Sequence, residues 1–269
     1  MLLEFTKMNG AGNDFIMIDN RSRNVKLTPE KIVKLCHRQK GIGADGIILL
    51  IPASGKEADW AWEFYNSDGS IAEMCGNGAR CFAKFVQKLT GAKEKVTFET
   101  LAGLVTAYYN GDNVSIRLTQ PKDLKLNIRL PLKNGEHIVH FINTGVPHTV
   151  MFVEDADKID VKNQGAEIRY HNLFAPRGTN ANFVQIKDKS FIRVRTYERG
   201  VENETLACGT GITASSLITA LIHNFPSPIK VLVQSGDIME ISFTRNGDQF
   251  ENVILTGPAE FVFNGTIDI

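Results

Sequence analysis

A chain of 269 residues, 43% apolar and 22% charged, has the length for one large domain or two of ordinary size and the balance of a soluble globular protein. Lys plus Arg and Asp plus Glu both number 30, so the net charge is zero, and nucleic acid, which demands a basic excess, is not an expected partner. No stretch has the length of a membrane span and "MLLEFTKMNG" has no signal-peptide core, so no membrane partner is expected, and Cys36, Cys75, Cys81 and Cys208 are expected as thiols in a reducing cytoplasm.

The elements follow in chain order. "LLEFTKM" and "FIMID" read as strands about the turn "NGAGND". Thr28-Pro29-Glu30 starts a helix, with a capping hydroxyl and proline in the first helical position, that should stop near Lys40-Gly41. "DGIILLI" and "DWAWEFYN" are strands, the latter ending in "NSDGS". "GNGARCFAKFVQKLTG" is a helix closed by Gly91, and its polar remainder is Arg80, Lys84 and Lys88. Strands "KVTFET", "LVTAYY" and "NVSIRLT" follow, the last two joined at Asn110-Gly111-Asp112. The polar, proline-bearing run "QPKDLKLNIRLPLKNG" suggests a domain crossing near Thr119. The recipe then repeats: strands "HIVHFIN", "TVMFVE", "ANFVQI" and "FIRVRTYERG", a helix, and two or three closing strands. The expectation is an α+β fold of mostly antiparallel strands in two pseudo-symmetric domains, 1–118 (with 258–269 returning to it) and 119–257.

Both halves carry one short device, "MCGNGAR" at residues 74–80 and "ACGTGIT" at 207–213. The second helix, "GTGITASSLITALI", has no charge and is apolar on every face, so sheet must enclose it. The glycines admit a ligand close to the backbone, and a helix N-terminus presents N–H groups suited to a carboxylate. A thiol there has its pKa, ordinarily about 8.5, drawn toward neutrality, and becomes a usable base. Two such units acting on one carbon would invert a stereocentre: one thiolate removes the α-proton, the other thiol returns a proton from the opposite face, and N–H donors on the carboxylate stabilise the carbanion. A single motif of this kind is more often a turn beside a buried cysteine, but two matched copies, each at the mouth of a buried helix, reverse that preference. Cys36 and Cys81 sit at apolar helix positions and form no metal-ligand spacing, so no metal is expected. Nor is there a dinucleotide or P-loop signature.

"KMNGAGNDF" (7–15), "FYNSDGS…EMCGNGARC" (64–81), "GTNANFV" (178–184) and "YERG…ETLACGTG" (197–211) together resemble the signatures of the diaminopimelate epimerase family, in order and across essentially the whole chain. The resemblance implies a β-barrel around a central helix in each half, an active site in the cleft between them, and no cofactor. It implies an isomerase of lysine and peptidoglycan precursor synthesis that interconverts LL- and meso-diaminopimelate, and it leaves a homodimer open. Residue by residue, it makes Cys75 and Cys208 the acid/base pair and His148 and Glu198 the groups that tune them. Gly76, Asn77, Gly209 and Thr210 become donors to the reacting carboxylate. Asn13, Asn66, Asn180 and Arg199 are then left to hold the far end of a small amino-acid substrate, with Glu198 beside them.

Alternatives stay open at this stage. A proline-type racemase also uses paired cysteines but would leave Asn13, Asn66, Asn180 and Arg199 without work. A Cys/His hydrolase has no role for the second motif, and a non-catalytic amino-acid-binding protein needs no thiols. Locally, Asn13 and Asn66 could serve turns, His148 the core, and Glu198 and Arg199 a surface pair. Three departures from the family pattern fall at Val146, in place of an asparagine, at Gly46, where some members carry glutamine, and in "ERGVENETLACG", one residue longer than usual.

Overall fold

Alternating apolar and polar residues become strands in the computed structural model, which describes residues 2–269. The chain divides into two compact units, one running to Ile116 and taking in Gly257–Ile269, the other Arg117–Thr256. The first contains β1 (Leu2–Gly10), β2 (Asn13–Asp19), α1 (Pro29–Cys36), β3 (Gly46–Ile51), β4 (Trp60–Asn66), α2 (Gly76–Thr90), β5 (Lys95–Thr100), β6 (Gly103–Asn110) and β7 (Asn113–Arg117) except its last residue. In the second are β8 (Lys122–Leu132), β9 (Gly135–Asn143), β10 (Pro147–Phe152), α3 (Val161–Arg169), β11 (Asn180–Asp188), β12 (Phe191–Glu198), β13 (Asn203–Thr205), α4 (Gly209–His223), β14 (Ile229–Leu232), β15 (Ile238–Asn246) and all of β16 (Gln249–Pro258) but Gly257 and Pro258, which belong to the first. The last strand, β17 (Glu260–Asp268), lies antiparallel along β1 in the first unit.

The two units follow one plan. In the first, β1–β2 is antiparallel, β2–β3 parallel, β3–β4 antiparallel, β4–β5 parallel and β5–β6 antiparallel. In the second, β9–β10, β10–β11, β11–β12, β12–β14 and β14–β15 repeat that series of senses in the same order. α1 and α3 occupy matching places in the order, as do α2 and α4. The fold is therefore α+β with mainly antiparallel pairing and an internal repeat.

Burial explains the layering. β3 is buried along its whole length because alternate side chains meet different helices. Ile47, Leu49 and Ile51 join Ile32 and Leu35 of α1 in one cluster, while Ile48 lies against Gly78 of α2. On α2, Phe82 packs tilted against Phe98 with centroids 4.6 Å apart and meets Trp62 edge-on at 5.7 Å. Burying such a side chain stabilises the unit by about 1.5–3 kcal/mol. α4 is buried from Gly211 to Ala220. Its hydroxyls are accommodated by bonding back to carbonyls four residues earlier: Thr213 to Gly209, Ser215 to Gly211, Ser216 to Ile212 and Thr219 to Ser215, at 2.7–2.8 Å.

Several expectations are corrected. The first helix ends at Cys36 rather than near Lys40-Gly41, because His37 leaves the helix and its Nδ1 accepts from the N–H groups of Gln39 and Lys40. The polar, proline-bearing run is not an interruption but a strand, β8, whose Leu124, Leu126, Ile128, Leu130 and Leu132 are its less exposed alternate positions. Two register shifts in its pairing with β9, with positive φ at Asp123 and Asn127, disguise that strand in the sequence. Arg80 is wholly buried rather than on a polar face, its guanidinium donating to Pro258 O and Gly76 O. Four strands, not two or three, follow α4. Among the described residues no helix is long and apolar enough to cross a membrane.

Candidate active site

Cys75 is the N-cap of α2, its backbone extended at φ −146° and ψ 122°. Its Sγ accepts from the Gly78 N–H at 3.5 Å and donates to Asn13 Oδ1, also at 3.5 Å. Asn13 is aimed by Asp45, whose carboxylate accepts from Asn13 Nδ2 at 2.6 Å. Arg38 holds Asp45 at 2.8 Å and grips Asp14 with two bonds of 2.9 Å, while the Lys7 ammonium pairs with Asp14 at 2.9 Å and donates to Gly43 O. Burial pushes the Asp14 carboxyl up, but Arg38 and Lys7 outweigh it and bring the pKa down to about 2. This ionic cluster positions the Asn13 amide against the thiol. Gly76 and Asn77 are the first two helical residues, so their N–H groups point out of the helix end. Gly10 lets β1 run close by, since a Cβ there would come within 2.9 Å of Asn77 O.

Cys208 is likewise the N-cap of α4, at φ −116° and ψ 106°, with Gly209 and Thr210 as the first helical residues. Its surroundings differ. Sγ lies 3.6 Å from Thr210 Oγ1, and the Glu198 carboxylate is hydrogen-bonded to the thiol and to the Thr205 hydroxyl, the latter at 3.0 Å. Burial pushes the Glu198 carboxyl up, and those two bonds draw it partly back. His148 is 0% exposed, with Nε2 2.9 Å from Thr210 Oγ1 and Nδ1 3.2 Å from Asn182 Nδ2. Burial, with the charge of Arg199, lowers its pKa to about 3, so the ring is neutral.

Asn180 uses both ends of its amide inside the protein: Nδ2 donates to Pro147 O at 2.8 Å and Oδ1 accepts from the Arg199 N–H at 2.7 Å. Arg199 Nη1 donates to Arg177 O at 3.2 Å. Asn66 is exposed at the end of β4, where its Nδ2 reaches Ser70 Oγ at 3.0 Å and its backbone opens the "NSDG" turn. Cys36 and Cys81 are buried thiols, and burial pushes both up to about 12. Asn13 thus stands beside Cys75, while Glu198, Thr210 and His148 gather around Cys208. Asp45, Arg38, Thr205 and Asn182 were missed by sequence reasoning. A signal existed for Asn182: in "NANFV" it alternates with Ala181 and Phe183, so it shares the strand face of Asn180. At Gly46 a Cβ would come within 2.7 Å of Tyr65 O and 2.9 Å of Phe64 Cε2, so this chain leaves no room there for a longer residue.

The sequence profile described as diaminopimelate epimerase matches residues 5–122 and 140–262. The chain belongs to the diaminopimelate epimerase family. Membership makes it an isomerase of the epimerase type. It is 44% identical to the diaminopimelate epimerase of Aquifex aeolicus over 277 residues, 98% of either chain, and 42% identical to that of Flavobacterium psychrophilum, over 98% of this chain and 100% of the relative. Among solved structures, a PhzF-family phenazine biosynthesis protein of Bacillus anthracis superposes with a TM-score of 0.74 at 14% identity over the whole of both chains. A probable proline racemase of Agrobacterium radiobacter K84, solved with bound carbonate, gives 0.71 at 16% identity, covering 99% of this chain and 93% of that one. At such identities these two establish the fold this epimerase shares with them.

Proposed function

We propose that the chain interconverts LL- and meso-2,6-diaminopimelate without a cofactor, with Cys75 and Cys208 as its two acid/base groups. What carries the reading is the pairing of near-full-length identity to diaminopimelate epimerases with a cysteine at the N-cap of each buried helix. Residues 1–118 with 258–269, and 119–257, serve as two domains that contribute one thiol each.

In one direction a cysteine thiolate takes the α-proton and the other thiol gives a proton to the same carbon from the opposite side. One proton leaves, one arrives, and the configuration inverts; the reverse reaction exchanges the roles. N–H groups of Gly76, Asn77, Gly209 and Thr210 stabilise the charge that spreads onto the reacting carboxylate. Glu198, which already bonds the Cys208 thiol, is the acceptor for its proton. Asn13 bonds the Cys75 thiol and, with Asn66, Asn180 and Arg199, serves the substrate's distal amino-acid end. The arginine supplies a planar fork for a carboxylate. The reading places the enzyme in the cytoplasm, in lysine and peptidoglycan precursor synthesis, as a homodimer.

The test is α-proton exchange in deuterated water, followed by NMR, with LL- and meso-diaminopimelate, proline and lysine. Exchange with inversion is expected for the diaminopimelate isomers alone. Comparable turnover of proline would sink the assignment in favour of a proline-type racemase.

A further inference from the structure

The two-base reading gives Asn182 no work, yet its amide lies under the first turn of α4. Its orientation follows from its neighbours. Asn182 Nδ2 is 2.9 Å from the Thr149 carbonyl oxygen, which can only accept, so this atom is the amide NH2. The amide oxygen accepts from the Thr196 hydroxyl at 2.9 Å. The second hydrogen of the same NH2 is directed at His148 Nδ1, 3.2 Å away. An NH2 group cannot accept, so Nδ1 is the unprotonated nitrogen. In the neutral ring the proton is therefore on Nε2, which donates to Thr210 Oγ1 at 2.9 Å. That leaves the one hydroxyl hydrogen of Thr210 for Cys208 Sγ, 3.6 Å away.

We infer that Asn182 is a positioning residue for Cys208: it holds His148 as the Nε2–H tautomer, and His148 in turn directs the Thr210 hydroxyl onto the sulfur. The inference rests on Cys208 being a reacting base. It makes His148 a fixed neutral donor, so the Cys208 proton goes to Glu198 on β12 and not to the imidazole. The low pKa of His148 accords with this, because the imidazolium is disfavoured in that site. The groups facing this end of α4 within the unit are His148 from β10, Glu198 at the end of β12 and Arg199 after it. The second glycine of the motif belongs to the same device. A Cβ on Gly211 would collide with Asn182 Oδ1, so only glycine there admits the amide.

The internal repeat supplies a control. By register, His148 faces Asn180 and Val150 faces Asn182 across β10 and β11; in the first unit Phe15 faces Gly46 and Met17 faces Ile48 across β2 and β3. His148 and Asn182 thus correspond to Phe15 and Ile48, and those two are the side chains nearest a Cβ built on Gly78, the counterpart of Gly211. The relay serves Cys208 alone, whereas Cys75 bonds to Asn13.

Long-range proton–nitrogen NMR of the intact enzyme is expected to find His148 neutral with its proton on Nε2. In N182D a carboxylate would accept from Nδ1–H and reverse the tautomer. We expect kcat to fall about tenfold or more with KM within about twofold, because the lost bond acts on the reacting thiol and not on substrate binding. Alkylation of Cys208 at fixed pH in a C75A background should slow in parallel. H148Q, which places an NH2 near the position of Nε2, should keep kcat within about threefold, while H148A should not. The inference is overturned by a wild-type ring protonated on Nδ1 or charged, by H148Q being as impaired as H148A, or by folded N182D with unchanged kcat. Should N182D not fold, the wild-type spectrum and the H148Q/H148A pair decide. Absence of any activity on diaminopimelate would defeat the proposed substrate and leave the tautomer and alkylation measurements standing.

Discussion

The two cysteines share a backbone position and differ in everything their side chains touch. Cys75 meets an amide aimed by an ionic cluster; Cys208 meets a hydroxyl and a carboxyl held up by burial. C75A and C208A should each abolish α-proton exchange with inversion and leave the circular dichroism spectrum and Tm close to wild type. Near-normal turnover in either would sink the two-base reaction. Asp45 gives a finer test. D45N keeps the size of the side chain but weakens its hold on Asn13 and Arg38, and we expect roughly a tenfold loss in kcat/KM, the size of one charge-assisted hydrogen bond. Unchanged steady-state kinetics in D45N would show that the Asn13 amide needs no such anchor.

At the scale of elements, the informative comparison is between the helices. α2 carries a buried arginine whose charge is spent on the carbonyls of Pro258 and Gly76. The buried stretch of α4 carries only hydroxyls as polar side chains, and those of Thr213, Ser215, Ser216 and Thr219 turn back onto its own backbone. The first turn of α4 has no space to spare. G211A should cost about 1–3 kcal/mol as the Asn182 amide is displaced, and it should depress kcat along with it. G78A meets Ile48 Cδ1 at 3.0 Å, a side-chain end that can turn aside, so its loss of stability should be smaller. Denaturant midpoints of the two variants check this ordering, and G78A proving the more damaging would contradict it.

For the whole molecule, the same groups predict the acid limb of stability. Asp14 titrates at about 2 in the folded chain against an ordinary 3.8, so its contribution is present above the ordinary value and is lost as pH falls through about 2. His148 titrates at about 3 against 6.5. Below 6.5 the unfolded chain takes up a proton that the folded chain refuses, so stability declines from 6.5 down to about 3. Tm measured across that window should fall less steeply in H148Q than in wild type. D14N should lower Tm at neutral pH and flatten only the most acid part of the curve. A wild-type slope retained in H148Q would remove His148 as its cause.

Most of the strands, the two buried helices and the paired Cys-Gly-x-Gly motifs were legible in the sequence, because each is written in neighbouring residues: periodicity, turn chemistry, a cap and the glycines after it. The alternation of β8 was there too, hidden by prolines and by two bulges that only pairing with β9 reveals. What the sequence could not supply was the company each side chain keeps. That Asp45 aims Asn13, that Arg80 is buried, and that Asn182 lies beneath Gly211 depend on the register of strands and on packing between segments distant in the chain. Two thiols on two helix ends, and the family of epimerases to which the chain belongs, can be read from residues that are neighbours in the chain. Which neighbours make those thiols unlike follows from the folded chain alone, because a hydrogen bond between remote residues is set by distance in space.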